Sequence, residues 1–171
     1  MKKYFLAVTT ILLTSLNLAG SAEAACKFTF RVELMKLETV DVGDTSNSMG
    51  DMTIMDADLY YKNKPVGTAV FNTYLNRMAD PNAVVERRRL EQRLGIAQYH
   101  IGEKDSLVTI GEFIYDLPGS PQPYTPDQVR SVTGGIGKFK FAKGQVILHR
   151  VDADTFEHRF ELNVEPSLCK F

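Results

Sequence analysis

The chain has 171 residues, 44% of them hydrophobic and 24% charged, with 7 Pro and 12 Gly; this composition excludes a disordered or fibrous protein. Twenty basic residues against 21 acidic ones give a formal net charge of -1, which lacks the basic footprint of a nucleic-acid binder and argues against an anionic membrane surface as partner. Two cysteines are too few for a disulfide-knit miniprotein or a cysteine-built zinc module.

Residues 1–24 read as an address rather than as part of a fold. Lys2 and Lys3 open the chain, residues 5–18 form an apolar run, and Ala22-Glu23-Ala24 is a small-x-small cleavage pattern. This is the layout of a secretory signal peptide cleaved after Ala24, and the apolar run is short for a membrane span. Glu23 stands where a lipobox carries Leu, which speaks against lipidation of Cys26. The expectation is a secreted or periplasmic protein with no stable membrane anchor, and one domain over residues 25–171. In an oxidising compartment, Cys26 and Cys169 are then expected to form one disulfide. That pairing requires the first and last strands to lie side by side.

The rest of the pattern is β. Phe28, Phe30, Val32 and Leu34 alternate with Lys27, Thr29, Arg31 and Glu33, and Phe156, His158, Phe160, Leu162 and Val164 alternate with Glu157, Arg159, Glu161 and Asn163, the period of a half-buried strand. Further strands are expected near 50–61, 66–76, 95–102, 106–115 and 138–151. Turn residues separate them: Asp41-Val42-Gly43-Asp44, Lys62-Asn63-Lys64-Pro65, Gly102-Glu103-Lys104-Asp105 and Asp152-Ala153-Asp154. Asp80-Pro81 and Gly95 carry helix start and stop signals, yet Leu90, Leu94 and Ile96 fit a strand running to Ile101. A turn at 79–83 followed by a long strand is the expectation. Residues 117–126 hold four of the seven prolines and are expected to be an extended loop. Many short strands with regular turns point to a sandwich or a barrel, and the terminal disulfide favours a barrel, which leaves no open edge.

Candidate chemistry is sparse. Gly134-Gly135-Ile136-Gly137-Lys138 is not a phosphate loop: no Ser or Thr follows Lys138, and Phe139-Lys140-Phe141 alternates like a strand instead of opening a helix. The block Glu86-Arg87-Arg88-Arg89-Leu90-Glu91-Gln92-Arg93 reads as a solvated face; the sharper alternative is an alternate arginine pointing into a cavity toward an anionic ligand. His100, His149 and His158 lack the spacing of a metal site, so neither a metal nor a cofactor is expected. His158 shares the phase of Phe156 and Phe160, which suits a buried, hydrogen-bonded histidine. Asp152-Ala153-Asp154 and Asp56-Ala57-Asp58 do not continue into a calcium loop. Asp56 shares a phase with Ile54, which would place a carboxylate on an apolar face, where it could serve as a general acid.

Val132-Thr133-Gly134-Gly135-Ile136-Gly137-Lys138-Phe139-Lys140-Phe141-Ala142-Lys143-Gly144 closely resembles the C-terminal motif of plant dirigent proteins, V-x-G-G-T-G-K-F-R-F-A-R-G. Continued through Gln145-Val146-Ile147-Leu148 it is similar to the matching stretch of plant allene oxide cyclases. Gly50-Asp51-Met52-Thr53-Ile54-Met55-Asp56-Ala57-Asp58-Leu59, Val66-Gly67-Thr68-Ala69 and Gly102-Glu103-Lys104-Asp105-Ser106-Leu107 resemble segments of both. The likeness covers roughly residues 50–150. It implies an all-β fold, an eight-stranded antiparallel β-barrel with an apolar cavity, often assembled as a homotrimer. It also implies a small hydrophobic partner and catalysis by orientation, as an isomerase, a cyclase or a dirigent-type guide. Asp56 falls at the first Asp of the cavity-lining dirigent motif, while Ala57 and Asp58 depart from it. The expected function is an exported barrel that binds a small hydrophobic ligand in its lumen and guides its cyclisation or isomerisation. Asp56 would be the catalytic residue, with Tyr74, His100 and His158 binding ligand. The alternative is a non-catalytic carrier or interaction protein on the same barrel.

Overall fold

The computed structural model describes residues 26–43, 48–115 and 127–171, the side chain of Arg87 excepted. The expected leader and the proline-rich segment 117–126 lie outside these residues. Eight strands follow in order: β1 (Cys26–Val40), β2 (Met52–Tyr61), β3 (Lys64–Arg77), β4 (Glu91–Ile101), β5 (Asp105–Tyr115), β6 (Gln128–Ile136), β7 (Gly144–Arg150) and β8 (Thr155–Leu162). Each pairs antiparallel with the next, and β8 pairs back onto β1 to close a barrel. Closure leaves no strand at an open edge, which an open sheet of this size could not do.

Closure rests on the two segments whose alternation is clearest. Cys26 pairs with Leu162, Phe28 with Phe160, Phe30 with His158 and Val32 with Phe156, so both apolar phases point into the lumen. The disulfide joins Cys26 to Cys169, with Cα atoms 6.1 Å apart. Cys169 belongs to a short 3-10 turn, Pro166–Cys169, beyond β8. The bridge therefore pins the C-terminal turn onto the start of β1, while the ladder itself joins the first and last strands.

One end of the barrel is packed with aromatic rings. Phe28 stacks on Phe160 at 5.0 Å, and Phe171 lies 4.9 Å from Phe28, 5.2 Å from Phe30 and 5.0 Å from Tyr61. Burying several phenylalanines in mutual contact contributes about 1.5–3 kcal/mol for each side chain before entropy is counted. The turns at this end are short. Lys62 and Asn63 both take positive φ, 49° and 61°, the two-residue turn whose twist matches a hairpin.

The structure refines the expected elements. The strand expected near 95–102 begins earlier, at Glu91, and between it and the expected turn stands a single 3-10 turn, Glu86–Arg89. The span 138–151 is not one strand. Gly137 turns at φ +63°, Gly137–Phe139 is a 3-10 turn, and β7 starts only at Gly144. Phe139 is buried and Phe141 exposed with φ 68°, so their alternation belongs to a turn that drops one ring into the core. Finally, β6 is a strand that turn signals alone did not reveal, and Gly134-Gly135 lies inside it.

Candidate functional site

The end of the lumen opposite the aromatic plug holds an apolar recess lined by Val32, Leu34, Met55, Phe71, Phe113, Leu148 and Phe156, with Arg130 and His158 in its wall. Leu34 donates its N–H to the carbonyl of Asp154 at 2.8 Å, which sets the recess beside the β7–β8 turn. There, Asp152 accepts from the N–H groups of Asp154 and Thr155, so this acidic pair builds a turn. The recess encloses about 330 Å³ measured out to its open mouth, but the centre of a water-sized sphere can occupy only about 20 Å³ of it, room for about one water.

His158 Nδ1 lies 2.9 Å from the Tyr99 hydroxyl. The imidazole is ringed by Phe71 at 5.6 Å and Phe156 at 6.3 Å. Burial, assisted by the nearby Arg130 charge, holds its pKa well below the usual histidine range, so the ring is neutral at pH 7. Burial likewise raises the Tyr99 phenol far above its ordinary value, and it stays protonated. A neutral imidazole bonded to a protonated phenol has two tautomers. One leaves Nε2 with a lone pair and the other gives it an N–H.

Arg130 is 2% exposed. Its guanidinium carbon sits 3.1 Å from the centre of the Phe113 ring. Nε donates to the Glu112 carbonyl and Nη2 to Gln128 Oε1, both at 3.4 Å, and Nη1 has no hydrogen-bond partner among the described residues. Burial pushes its pKa down to about 10, which leaves it charged at neutral pH.

Two facing glycines make this arrangement possible. Gly95 on β4 and Gly111 on β5 are cross-strand partners. A Cβ on Gly95 would stand 2.0 Å from the Phe113 ring, and one on Gly111 would stand 2.9 Å from Arg130 Cγ. The bare backbone therefore lets Phe113 lie flat on β4 and the arginine stem lie flat on β5.

A second polar group lines the same end on β2–β5. Arg93 Nε meets Glu91 Oε1 at 2.7 Å, Nη1 bonds Thr53 Oγ1, and the guanidinium lies over Tyr115. The sharper reading of the 86–93 block is thus realised in position: Arg93 points inward. Its charge, however, is matched by a carboxylate of the same strand.

Of the residues singled out from the sequence, His158 lies in the lumen. Asp56, Tyr74 and His100 do not: all three stand on the outer face, Tyr74 at 42% exposure. The inner face of β2 is Thr53, Met55, Ala57 and Leu59, and that of β4 is Arg93, Ala97, Tyr99 and Ile101. The phase that Ile54 and Asp56 share faces outward: Ile54 is apolar but covers the outside of β2, half-buried. Asp56, Tyr74 and His100 therefore cannot meet a lumen ligand. Arg130 and Tyr99 also face the lumen; hydropathy does not mark Arg130, because the phase Gln128, Arg130, Val132 and the phase Val129, Ser131, Thr133 each hold one valine. Among the described residues no group of three or more His, Cys, Asp or Glu side chains could hold a metal ion.

No protein-family model matches the chain, and no curated protein sequence matches it. Solved structures do. A pyocyanin demethylase is similar at 17% identity and TM-score 0.62, over 80% of this chain and 99% of that one. A pterocarpan synthase dirigent protein is similar at 14% identity and TM-score 0.55, over 80% and 81%. A Diels–Alderase from Streptomyces koyangensis is similar at 11% identity and TM-score 0.59, over 82% of this chain but 65% of that one, so the chain spans just under two thirds of that protein. At these identities the likeness speaks to architecture. The chain has the eight-stranded barrel fold of the allene oxide cyclase and dirigent type.

Proposed function

We propose that this chain is an exported barrel that binds a small hydrophobic molecule in the open end of its lumen and guides its cyclisation or isomerisation. The observation that carries the reading is an apolar recess whose wall holds only two polar groups, neutral His158 and charged Arg130. An apolar ligand would gain by leaving water, and the two polar groups would orient it. His158, backed by Tyr99, replaces Asp56 as the group able to give or take a proton at the ligand. Such a rearrangement moves atoms within one molecule, so it needs no co-reactant, and holding the ligand in one folded shape supplies much of the acceleration.

The disulfide supports export. A leader cleaved after Ala24 should give a secreted protein starting at Ala25 with no free thiol, and intact mass reads both. Native mass spectrometry of the secreted protein tests the main reading. A co-purifying small molecule lost in His158→Phe supports it; an empty barrel that captures no apolar compound from a library overturns it. The same spectrum reads the oligomeric state, where the trimer implied by the resemblance would cover outward Tyr74, Leu94, Ile96 and Ile110.

One observation favours the second reading, a carrier or interaction protein without chemistry. The packed rings and the small free space mean that a ligand larger than a water must displace lining side chains to enter. Capture of a ligand that is released unchanged would select the carrier.

A further inference from the structure

We propose that Arg130 makes the lumen selective for apolar ligands bearing an anionic oxygen group, such as a carboxylate, over neutral ligands of the same shape. The inference rests on reading the lumen as a ligand site and names the chemistry that the site prefers.

The two buried arginines of the lumen make the case by contrast. Arg93 has its counter-ion built in, Glu91 at 2.7 Å, and bonds Thr53 as well. Arg130 has no carboxylate partner among the described residues. Its two hydrogen bonds are long, at 3.4 Å, and go to neutral acceptors. Its Nη1 is buried with no hydrogen-bond partner among the described residues, and the side chain lines the recess.

A guanidinium withdrawn from water without a counter-charge is costly to keep. The Phe113 face at 3.1 Å offsets part of that cost through cation–π attraction, but a ring supplies no acceptor for Nη1. His158 cannot supply a negative charge, and Tyr99 stays protonated. The missing partner is therefore one anionic oxygen group placed at the polar wall, with the rest of the molecule apolar to match Val32, Met55, Phe71, Leu148 and Phe156. A guanidinium binds such a group through charge-assisted hydrogen bonds, about twice as strong as neutral ones. A single trapped water would satisfy Nη1 without any charge, so preference for charge is the property to measure.

Matched probe pairs test this on the secreted, disulfide-bonded chain: benzoate with benzyl alcohol, cinnamate with cinnamyl alcohol, and decanoate with decanol, by isothermal titration calorimetry at pH 7.5. The expected result is that at least one acid binds about 10-fold tighter or more than its alcohol. Arg130→Met should bring that pair to equal affinity while still binding the alcohol. Equal affinities within every pair of the unmodified protein overturn the anion preference and leave the lumen reading standing. Retained preference in a folded Arg130→Met variant overturns it too. Binding of none of the six probes overturns both readings together. Because the acid–alcohol comparison uses the unmodified chain, it decides the matter even if Arg130→Met fails to fold.

Discussion

His158 occupies a position that only its neutral form tolerates. The groups facing it are the Tyr99 hydroxyl, the Arg130 charge and the rings of Phe71 and Phe156. Burial first, and Arg130 second, lower its pKa. The unfolded chain, whose histidine titrates near about 6.5, binds a proton more readily than the folded one. Stability from this residue is thus complete above about pH 6.5 and is lost as the pH falls below it. Tyr99 and Arg130 do not titrate in that range. Asp51, held below the usual carboxylate range by the N–H groups of Val42 and Ser48, loses its contribution only at lower pH. The unmodified protein should therefore melt at progressively lower temperature from pH 7.5 to pH 5, and His158→Gln should flatten that slope; parallel curves in a thermal melt series would refute it. His158 was legible from the sequence because Phe156 and Phe160 flank it in phase. Asp56 was misread for the opposite reason. On β2 the inner neighbours of Ile54 and Asp56 include polar Thr53 and small Ala57 beside Met55, while outward Ile54 is itself apolar, so hydropathy near Asp56 marks the wrong side.

At the scale of elements, the join between β5 and β6 shapes the site. The ladder runs from Ser106↔Ile136 to Ile110↔Ser131 and goes no further. Beyond it the Gln128 side chain stands in for a strand, accepting from the Ile114 N–H at 3.3 Å and donating to the Ile114 carbonyl at 3.0 Å. Arg130 extends the same substitution through its bond to the Glu112 carbonyl. Side chains thus stitch a seam where backbone pairing has ended, and that seam seats the guanidinium in the wall. Gln128→Ala should leave the Ile114 amide unbonded, speed its hydrogen exchange and cost about 1–3 kcal/mol in denaturant unfolding. Unchanged protection at Ile114 would show that the seam closes without the amide. None of this was readable in advance. Gln128-Val129-Arg130-Ser131-Val132 offers an apolar residue in each phase, and which phase faces inward depends on Gly95 and Gly111 of two other strands.

For the whole molecule, closure and the disulfide act on different states. The β1–β8 ladder stabilises the native barrel directly. The Cys26–Cys169 bridge, across a sequence separation of 143, acts chiefly by restricting the unfolded chain, an effect of at most about 5 kcal/mol on the chain-entropy model. Cys26→Ser together with Cys169→Ser should keep the β-sheet circular dichroism spectrum and lower the unfolding midpoint; an unchanged midpoint would show that the ladder alone sets the stability. The sequence by itself determined the β class, the alternating first and last strands and the pairing of two distant cysteines, because each follows from period-two hydropathy or from a count of two. Which phase of β2, β4 and β6 faces the lumen was decided by tertiary structure alone. A barrel wall is only one residue thick, so the inside of each strand is chosen by what the strands across and beside it leave room for, and here two bare glycines left room for Phe113 and an unpaired arginine.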